Sequence, residues 1–203
     1  MKALQPVPHL VAAVLLAAPA LAGASSWELD PAHTAAQFSV KHMMISTVRG
    51  QFGKTTGSVE LDDKDIAKSS VQATIDVSTI DTRSPERDAH LKSPDFFDVA
   101  RFPSMTFKSK RVEKGAPNHL RVVGDLTIRD VTREVALDVE LGGGQRKDPW
   151  GNLRQGATAT TRIVRKDFGL VWNKALEGGG VLVGDDVNIT LDIEMTRKAP
   201  VKS

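Results

Sequence analysis

The sequence predicts an exported, single-domain, mainly antiparallel β protein, and three observations carry that prediction. Apolar and polar residues alternate with period two through most of the chain from Trp27 onward. Turn-rich breaks interrupt the alternation at short intervals, and the N-terminus has the build of a secretory signal.

The signal comes first. Lys2 supplies the positive start, Leu10 to Ala18 is an apolar run of signal-peptide length, and Ala20-Leu21-Ala22 has the small-x-small pattern of a cleavage site. Residues 1–22 therefore form the predicted signal peptide, with a cut after Ala24 as the alternative, and 23–203 form the mature domain. The apolar run is short for a bilayer span and no other stretch approaches one, so a permanent membrane anchor is not expected and the predicted location is the periplasm.

With 203 residues and 40% apolar content, the chain can bury one good core. Its 27 Lys and Arg against 25 Asp and Glu leave no global charge to attract nucleic acid or anionic lipid, so partners must come from local features. Cysteine is absent, which excludes a lipoprotein anchor, disulfides, thiolate metal sites and a Cys nucleophile together.

Ala36, Phe38 and Val40 alternate with Gln37, Ser39 and Lys41. Val71, Ala73, Ile75 and Val77 do so against polar neighbours, as do Val187, Ile189, Leu191, Ile193 and Met195. Each is a half-buried strand with one apolar face. The same pattern gives roughly eight strands, near 27–41, 47–61, 70–80, 104–113, 119–129, 132–142, 155–172 and 186–197. Loops fall at Asp62-Asp63-Lys64, Lys114 to Asn118, Gly142-Gly143-Gly144 and Glu177 to Gly180. Such strands either close into a barrel or pack as two sheets, and the pattern does not separate the two. An outer-membrane barrel is disfavoured because aromatics make up only 5% of the chain, too few for two interfacial girdles.

Between Ser84 and Pro103 the alternation stops. Ser84-Pro85-Glu86 and Ser93-Pro94-Asp95 each combine a capping Ser, a Pro suited to the first helical position and an acid that complements the helix dipole. Two short helices are expected there, and Phe96, Phe97 and Phe102 require that this excursion dock on an apolar surface.

Few motifs suggest catalysis. His33, His42, His90 and His119 lack zinc-site spacing, so no metal site is assigned. The glycine runs at 142–144 and 178–180 lack a following Lys-Ser/Thr and are read as turns; no Gly-x-Ser-x-Gly motif occurs. The cluster Arg87-Asp88-Ala89-His90-Leu91 admits two readings. In one, Asp88 pairs with Lys92 and Leu91 anchors a helix; in the other, Arg87 and His90 share a face and offer donors to a polar head group.

Laid out in order, these segments resemble the YceI-like family of bacterial periplasmic proteins across about Trp27 to Arg197. The matching pieces are Trp27-Glu28-Leu29-Asp30-Pro31-Ala32-His33, Phe38-Ser39-Val40-Lys41-His42, Ser46-Thr47-Val48-Arg49-Gly50-Gln51-Phe52 and Arg87-Asp88-Ala89-His90-Leu91-Lys92-Ser93. They continue with Asp95-Phe96-Phe97-Asp98-Val99, Phe102-Pro103, Thr106-Phe107-Lys108-Ser109, Gly124-Asp125-Leu126-Thr127-Ile128 and Lys166-Asp167-Phe168-Gly169-Leu170. The resemblance implies an eight-stranded antiparallel lipocalin-like barrel with a short helical excursion near 85–100, enclosing a long isoprenoid lipid or isoprenoid quinone.

On that basis Phe38, Val40, Phe52, Ile75, Phe107, Ile128, Phe168 and Trp172 are the candidate lumen residues. Phe96 and Phe97, with Arg87, Asp88 and His90 near the polar head, are the candidates for one mouth. A filled core without room for a ligand is the alternative. The expected function is a periplasmic lipid carrier with no catalytic residue and no cofactor beyond its bound lipid; a homodimer is admitted as a further partner. The rival readings are an enzyme using His90 and Asp88 as acid and base, and a β domain that binds another protein. One departure from the family is the turn after Ile128, where Arg129-Asp130 stands in place of glycine and implies another turn type or some strain.

Overall fold

The computed structural model describes residues 24–62 and 64–199; the expected signal peptide lies outside them. Twelve strands form one antiparallel sheet that closes on itself. In chain order they are β1 (Ala24–Leu29), β2 (Ala35–His42), β3 (Ser46–Phe52), β4 (Thr55–Asp62), β5 (Ser70–Asp76), β6 (Ile80–Asp81), β7 (Ser104–Lys114), β8 (His119–Ile128), β9 (Val131–Leu141), β10 (Arg146–Lys147), β11 (Leu153–Val164) and β12 (Val183–Arg197). One helix, α1 (Pro85–Lys92), separates β6 from β7.

These strands occupy eight positions around a barrel. β12 pairs with β11 from Asp186 to Thr196 on one edge, and with β2 and then β1 on the other. β1 and β2 share one position, β3 and β4 a second, β5 and β6 a third. The first three expected strands, 27–41, 47–61 and 70–80, are thus each present as a bent pair, broken at 30–34, at Gly53-Lys54 and at a short 3-10 turn, Val77–Thr79. α1 packs beside β6, and Leu91, Phe96 and Phe97 from it and the segment after it join the core at this end.

The alternation read from the sequence is the inside-outside pattern of this barrel. Three apolar clusters line it. One lies at the helix end around Phe52, Ile80, Phe96, Ile128 and Phe168; two lie toward the opposite end, around Val112, Val122 and Val139 and around Trp27, Leu29 and Met195. Trp27 is wholly buried there, its Nε1 donating to Ser25 Oγ at 2.8 Å.

Three expectations are corrected. Ser84 caps α1 as anticipated, accepting from Arg87 N, but no second helix starts at Ser93. The chain folds back instead: Phe97 N donates to Leu91 O at 3.0 Å and Val99 N to Lys92 O at 3.0 Å, which turns Phe96 and Phe97 onto the barrel. Burying two phenylalanines outweighs continuing a helix. Second, Asp88 does not pair with Lys92; its Oδ1 accepts from Thr82 N and Thr82 Oγ1, at 2.9 and 2.5 Å.

Third, the strand expected over 155–172 ends at Val164. A 3-10 turn, Arg165–Phe168, follows and is closed by Gly169 at φ +77°. Arg165 causes the departure. Its buried guanidinium donates to the carbonyls of Gly184, Leu170, Trp172 and Val183 and to Asp185 Oδ1, pulling residues 169–185 across the barrel end. In the turn after Ile128 the left-handed residue is Arg129, at φ +58°, held by a hydrogen bond to Gly169 O and by the Phe102 ring, 5.6 Å away.

At the opposite end Arg154 joins three segments. Its Nη1 reaches Asp30 Oδ2 at 2.5 Å and Glu194 Oε1 at 2.6 Å, and its Nε reaches Asp148 Oδ2 at 3.0 Å. This clamps the β1–β2 bend against β12 and the β10–β11 turn. The Arg154 guanidinium, helped by His33, holds the Asp30 carboxyl at about 2, well below the usual carboxylate range.

Two outcomes follow. Arg165→Met leaves several buried carbonyls unpaired and should cost roughly 3 kcal/mol in chemical denaturation. Because the Asp30 carboxyl is depressed in the folded state, its contribution is present above about pH 4 and lost as pH falls toward about 2. An acid titration of the denaturation midpoint should therefore show a fall in that window that is reduced in Arg154→Met.

Candidate functional site

The barrel encloses a cavity of about 260 Å³. Every strand position contributes to its wall, because each presents alternate apolar residues inward. Along β12 the wall residues run from Val183 to Met195, and the regular part beyond the bulge, Val187 to Met195, spans roughly 20 Å along the axis at about 3.3 Å per residue and a tilt of about 40°. The space is narrow, long and almost entirely apolar.

Of the eight candidate lumen residues, Phe38, Val40, Phe52, Ile75, Phe107 and Ile128 line the cavity. Phe168 and Trp172 do not; they pack into the core at the helix end, Phe168 at 2% exposure. Their strand ends at Val164, which removes them from the alternation that aims residues inward. The wall also includes Ile163, Ile189, Leu191 and Met195. Ile189, Leu191 and Met195 share the apolar face of the last alternating strand, and that alternation is the signal that marks them. Leu91, from α1, also lines the cavity; only its place on the helix face turned toward the barrel, which the sequence does not display, could have singled it out.

Phe96 and Phe97 reach the cavity from the fold-back segment and cap it. Phe97 meets Phe52 edge to face with centroids 5.8 Å apart, and Phe52 meets Phe38 at 5.6 Å. Phe38 in turn lies over Gly50, where a Cβ would collide with its ring. Phe96 meets Trp172 at 5.3 Å, so an aromatic chain runs from the interior to the irregular segment 169–182.

The three polar mouth candidates are placed differently. Arg87 donates from Nε to Thr82 Oγ1 and from Nη2 to Thr82 O, at 2.8 and 2.7 Å, and Asp88 accepts from the same threonine. Both are committed to anchoring α1 on β6 and neither lines the cavity. His90 stands outside the wall with its ring edge-on between Phe96 and Trp172, at 5.1 and 4.8 Å, and its Nε2 lies 2.9 Å from Asp95 Oδ2.

The polar side chains that border the cavity are Thr34, Gln37, Thr55, Ser69, Thr106, Thr161 and Arg165. Arg165 has its donors engaged, as described above, and among the described residues the wall holds no carboxylate or imidazole. The geometry therefore suits enclosure of an apolar chain. Away from the cavity, Asp30, His33 and Glu194 bring ligand-type atoms within 4.8 Å of one another. Arg154 already bridges Asp30 and Glu194, so its guanidinium occupies the place a cation would take.

The comparisons agree with this architecture. The model of the YceI-like domain matches residues 27–195. UPF0312 protein SA2479 of Staphylococcus aureus (strain N315) is 38% identical over 172 residues, covering 85% of this chain and 98% of that protein. The crystal structure of Burkholderia cenocepacia BcnA superposes with a TM-score of 0.71 at 24% identity, covering 82% of this chain and 98% of that one. A polyisoprenoid binding domain from Saccharophagus degradans superposes with a TM-score of 0.60 at 13% identity, covering 86% and 99%. At those identities the two structures speak for the fold, whereas the domain match and the staphylococcal relative bear on descent. The chain belongs to the YceI-like domain family.

Proposed function

We propose that the protein binds the tail of a long isoprenoid lipid or isoprenoid quinone in the barrel and acts as its periplasmic carrier. The observation that carries this reading is the long cavity with apolar walls. Such a space has no use for a polar metabolite and favours a slender hydrocarbon. Family membership supports it, because the structurally similar Saccharophagus degradans domain is described as polyisoprenoid binding. The expected N-terminal signal supports the periplasmic location.

Magnitudes fit a carrier. At about 0.8 kcal/mol per buried CH₂, each five-carbon unit contributes about 4 kcal/mol before ordering costs, so about four or five units already reach the practical ceiling of affinity. The cavity length accommodates about that number in an extended conformation. Longer chains must bend or protrude, and the head group then lies outside the apolar walls. His90, beside the aromatic cap, is the polar candidate closest to that position. Asp88 accepts from Thr82, His90 lies against Asp95, and neither lines the cavity, which favours binding over the enzyme reading.

Protein purified without detergent, extracted with organic solvent and analysed by mass spectrometry should release an isoprenoid at near one-to-one ratio. A blank extract that persists after incubation with quinones and polyprenols contradicts the reading. Leu191→Trp, which fills the middle of the cavity, should lower polyprenol affinity at least about tenfold while leaving the chain folded. Unchanged affinity places the ligand elsewhere.

A further inference from the structure

Exposed large apolar side chains are concentrated at one end of the barrel. Among the described residues, Met43, Met44, Ile45, Val164 and Val171 are exposed at the helix end, and Trp150 is exposed at the other. Three of the five form a single turn joining β2 to β3, where Ile45 is 82% and Met44 is 59% exposed.

The backbone of that turn is unsuited to its residues. Met43 and Met44 both have left-handed φ, +50° and +63°. A residue with a Cβ avoids this region, and a turn that needs it twice in succession is served best by Asn-Gly. Here two methionines hold the conformation and project outward together with Ile45. The turn is nonetheless fixed in place: Ile45 N donates to His42 O at 3.1 Å, and Met43 N to Leu182 O at 2.8 Å. Leu182 N donates in turn to Lys174 O at 2.9 Å, which places the strip 171–175, with exposed Val171, on the same rim.

Cations flank the tip. Lys41 and Arg49 lie on the outward face of the β2–β3 hairpin, where Lys41 pairs across with Thr47 and Arg49 with Ser39. Lys174 stands on the neighbouring strip, with its Nζ 6.0 Å from the Trp172 ring centroid. None of the three makes an ion pair among the described residues, whereas the nearby acids Asp185 and Asp186 are already taken by Arg165, Lys166 and Arg162. Glu177, exposed in the 177–180 turn, and Asp167, exposed beside Lys166, are acids at this end without an ion pair among the described residues.

We propose that the Met43–Ile45 turn, flanked by Lys41, Arg49 and Lys174, is a docking surface for an anionic lipid bilayer, into whose interface the three apolar side chains insert. Three consecutive apolar side chains on a protruding turn can enter a lipid interface without the broad complementary face, about 1,200 Å² or more in total, that a stable protein partner needs. A few inserted side chains joined to a cationic rim are enough for weak, reversible membrane attachment. The inference stands on this surface and goes beyond the carrier reading, with which it is compatible because the tip lies at the same end as the aromatic cap.

The test is flotation of the purified protein with vesicles of equal parts phosphatidylglycerol and phosphatidylcholine, at low and high salt, and with phosphatidylcholine alone. The wild type should float with the anionic vesicles, and less so as salt rises. The triple variant Met43→Asn, Met44→Asn, Ile45→Ser should float at least about tenfold less, without a lower thermal midpoint, because asparagine suits the left-handed turn. Lys41→Ala combined with Arg49→Ala and Lys174→Ala should abolish the preference for anionic vesicles. A wild type that does not float, or a triple variant that floats as well as the wild type, overturns the proposal. So does a triple variant that turns a dimer into a monomer in light scattering without changing flotation, since the tip is then a contact between copies. Polyprenol uptake by the same samples separates the two readings. A wild type that takes up polyprenol but does not float defeats docking alone, and one that floats but takes up none upholds docking and defeats the carrier reading.

Discussion

The fifteen-residue strand β12 is hydrogen-bonded along both edges, to β11 on one side and to β2 and β1 on the other, and the rest of the molecule depends on that double pairing. It joins the last strand to the first and removes the open edges that a single sheet would expose. Closure also converts a one-sided apolar face into an interior. Once the ladder is closed, inward residues such as Ile189 and Leu191 have nowhere to go but toward the axis, and whether they meet there is decided by barrel size. Eight positions leave a central space that the inward side chains of this chain do not fill.

The two ends are finished in different ways. Opposite the helix, Trp27 plugs the barrel and Arg154 ties the β1–β2 bend to β12 and to the β10–β11 turn. At the helix end the cover is assembled from segments that do not belong to the ladder. Phe96 and Phe97 lie on it through apolar and aromatic contact, and Arg165 holds the 169–185 segment through backbone carbonyls. A cover attached by side-chain packing opens at lower cost than a strand leaving a sheet. On the proposed carrier reading, that asymmetry favours the helix end as the side of ligand entry.

The eight strand positions and their facing were legible because burial on one side of a sheet imposes alternation, and the faces containing Phe38, Ile75 and Leu191 carry it. The capped start of α1 was legible for a local reason, the Ser84-Pro85-Glu86 triplet. What the sequence did not display depends on side chains that reach across the fold. Ser93-Pro94-Asp95 has the same local signature, yet Phe96 and Phe97 find a better place on the barrel than a helix would offer. Arg165 continues an alternating stretch, and only its contacts with carbonyls near residue 184 explain why β11 ends there and why Phe168 and Trp172 leave the wall. Likewise Arg87 and Asp88 have the chemistry of a head-group site, but Thr82, distant in role and unmarked in sequence, takes both.

The central claim is that an isoprenoid tail lies inside this barrel, and photo-crosslinking tests it most directly. A polyprenol bearing a diazirine at its tail end, irradiated in the complex and mapped by mass spectrometry, should label inward residues such as Leu191, Ile193 and Met195, deep on β12. Labelling confined to outward residues of the same strand, such as Thr190 and Asp192, or to the Met43–Ile45 turn, would contradict the account.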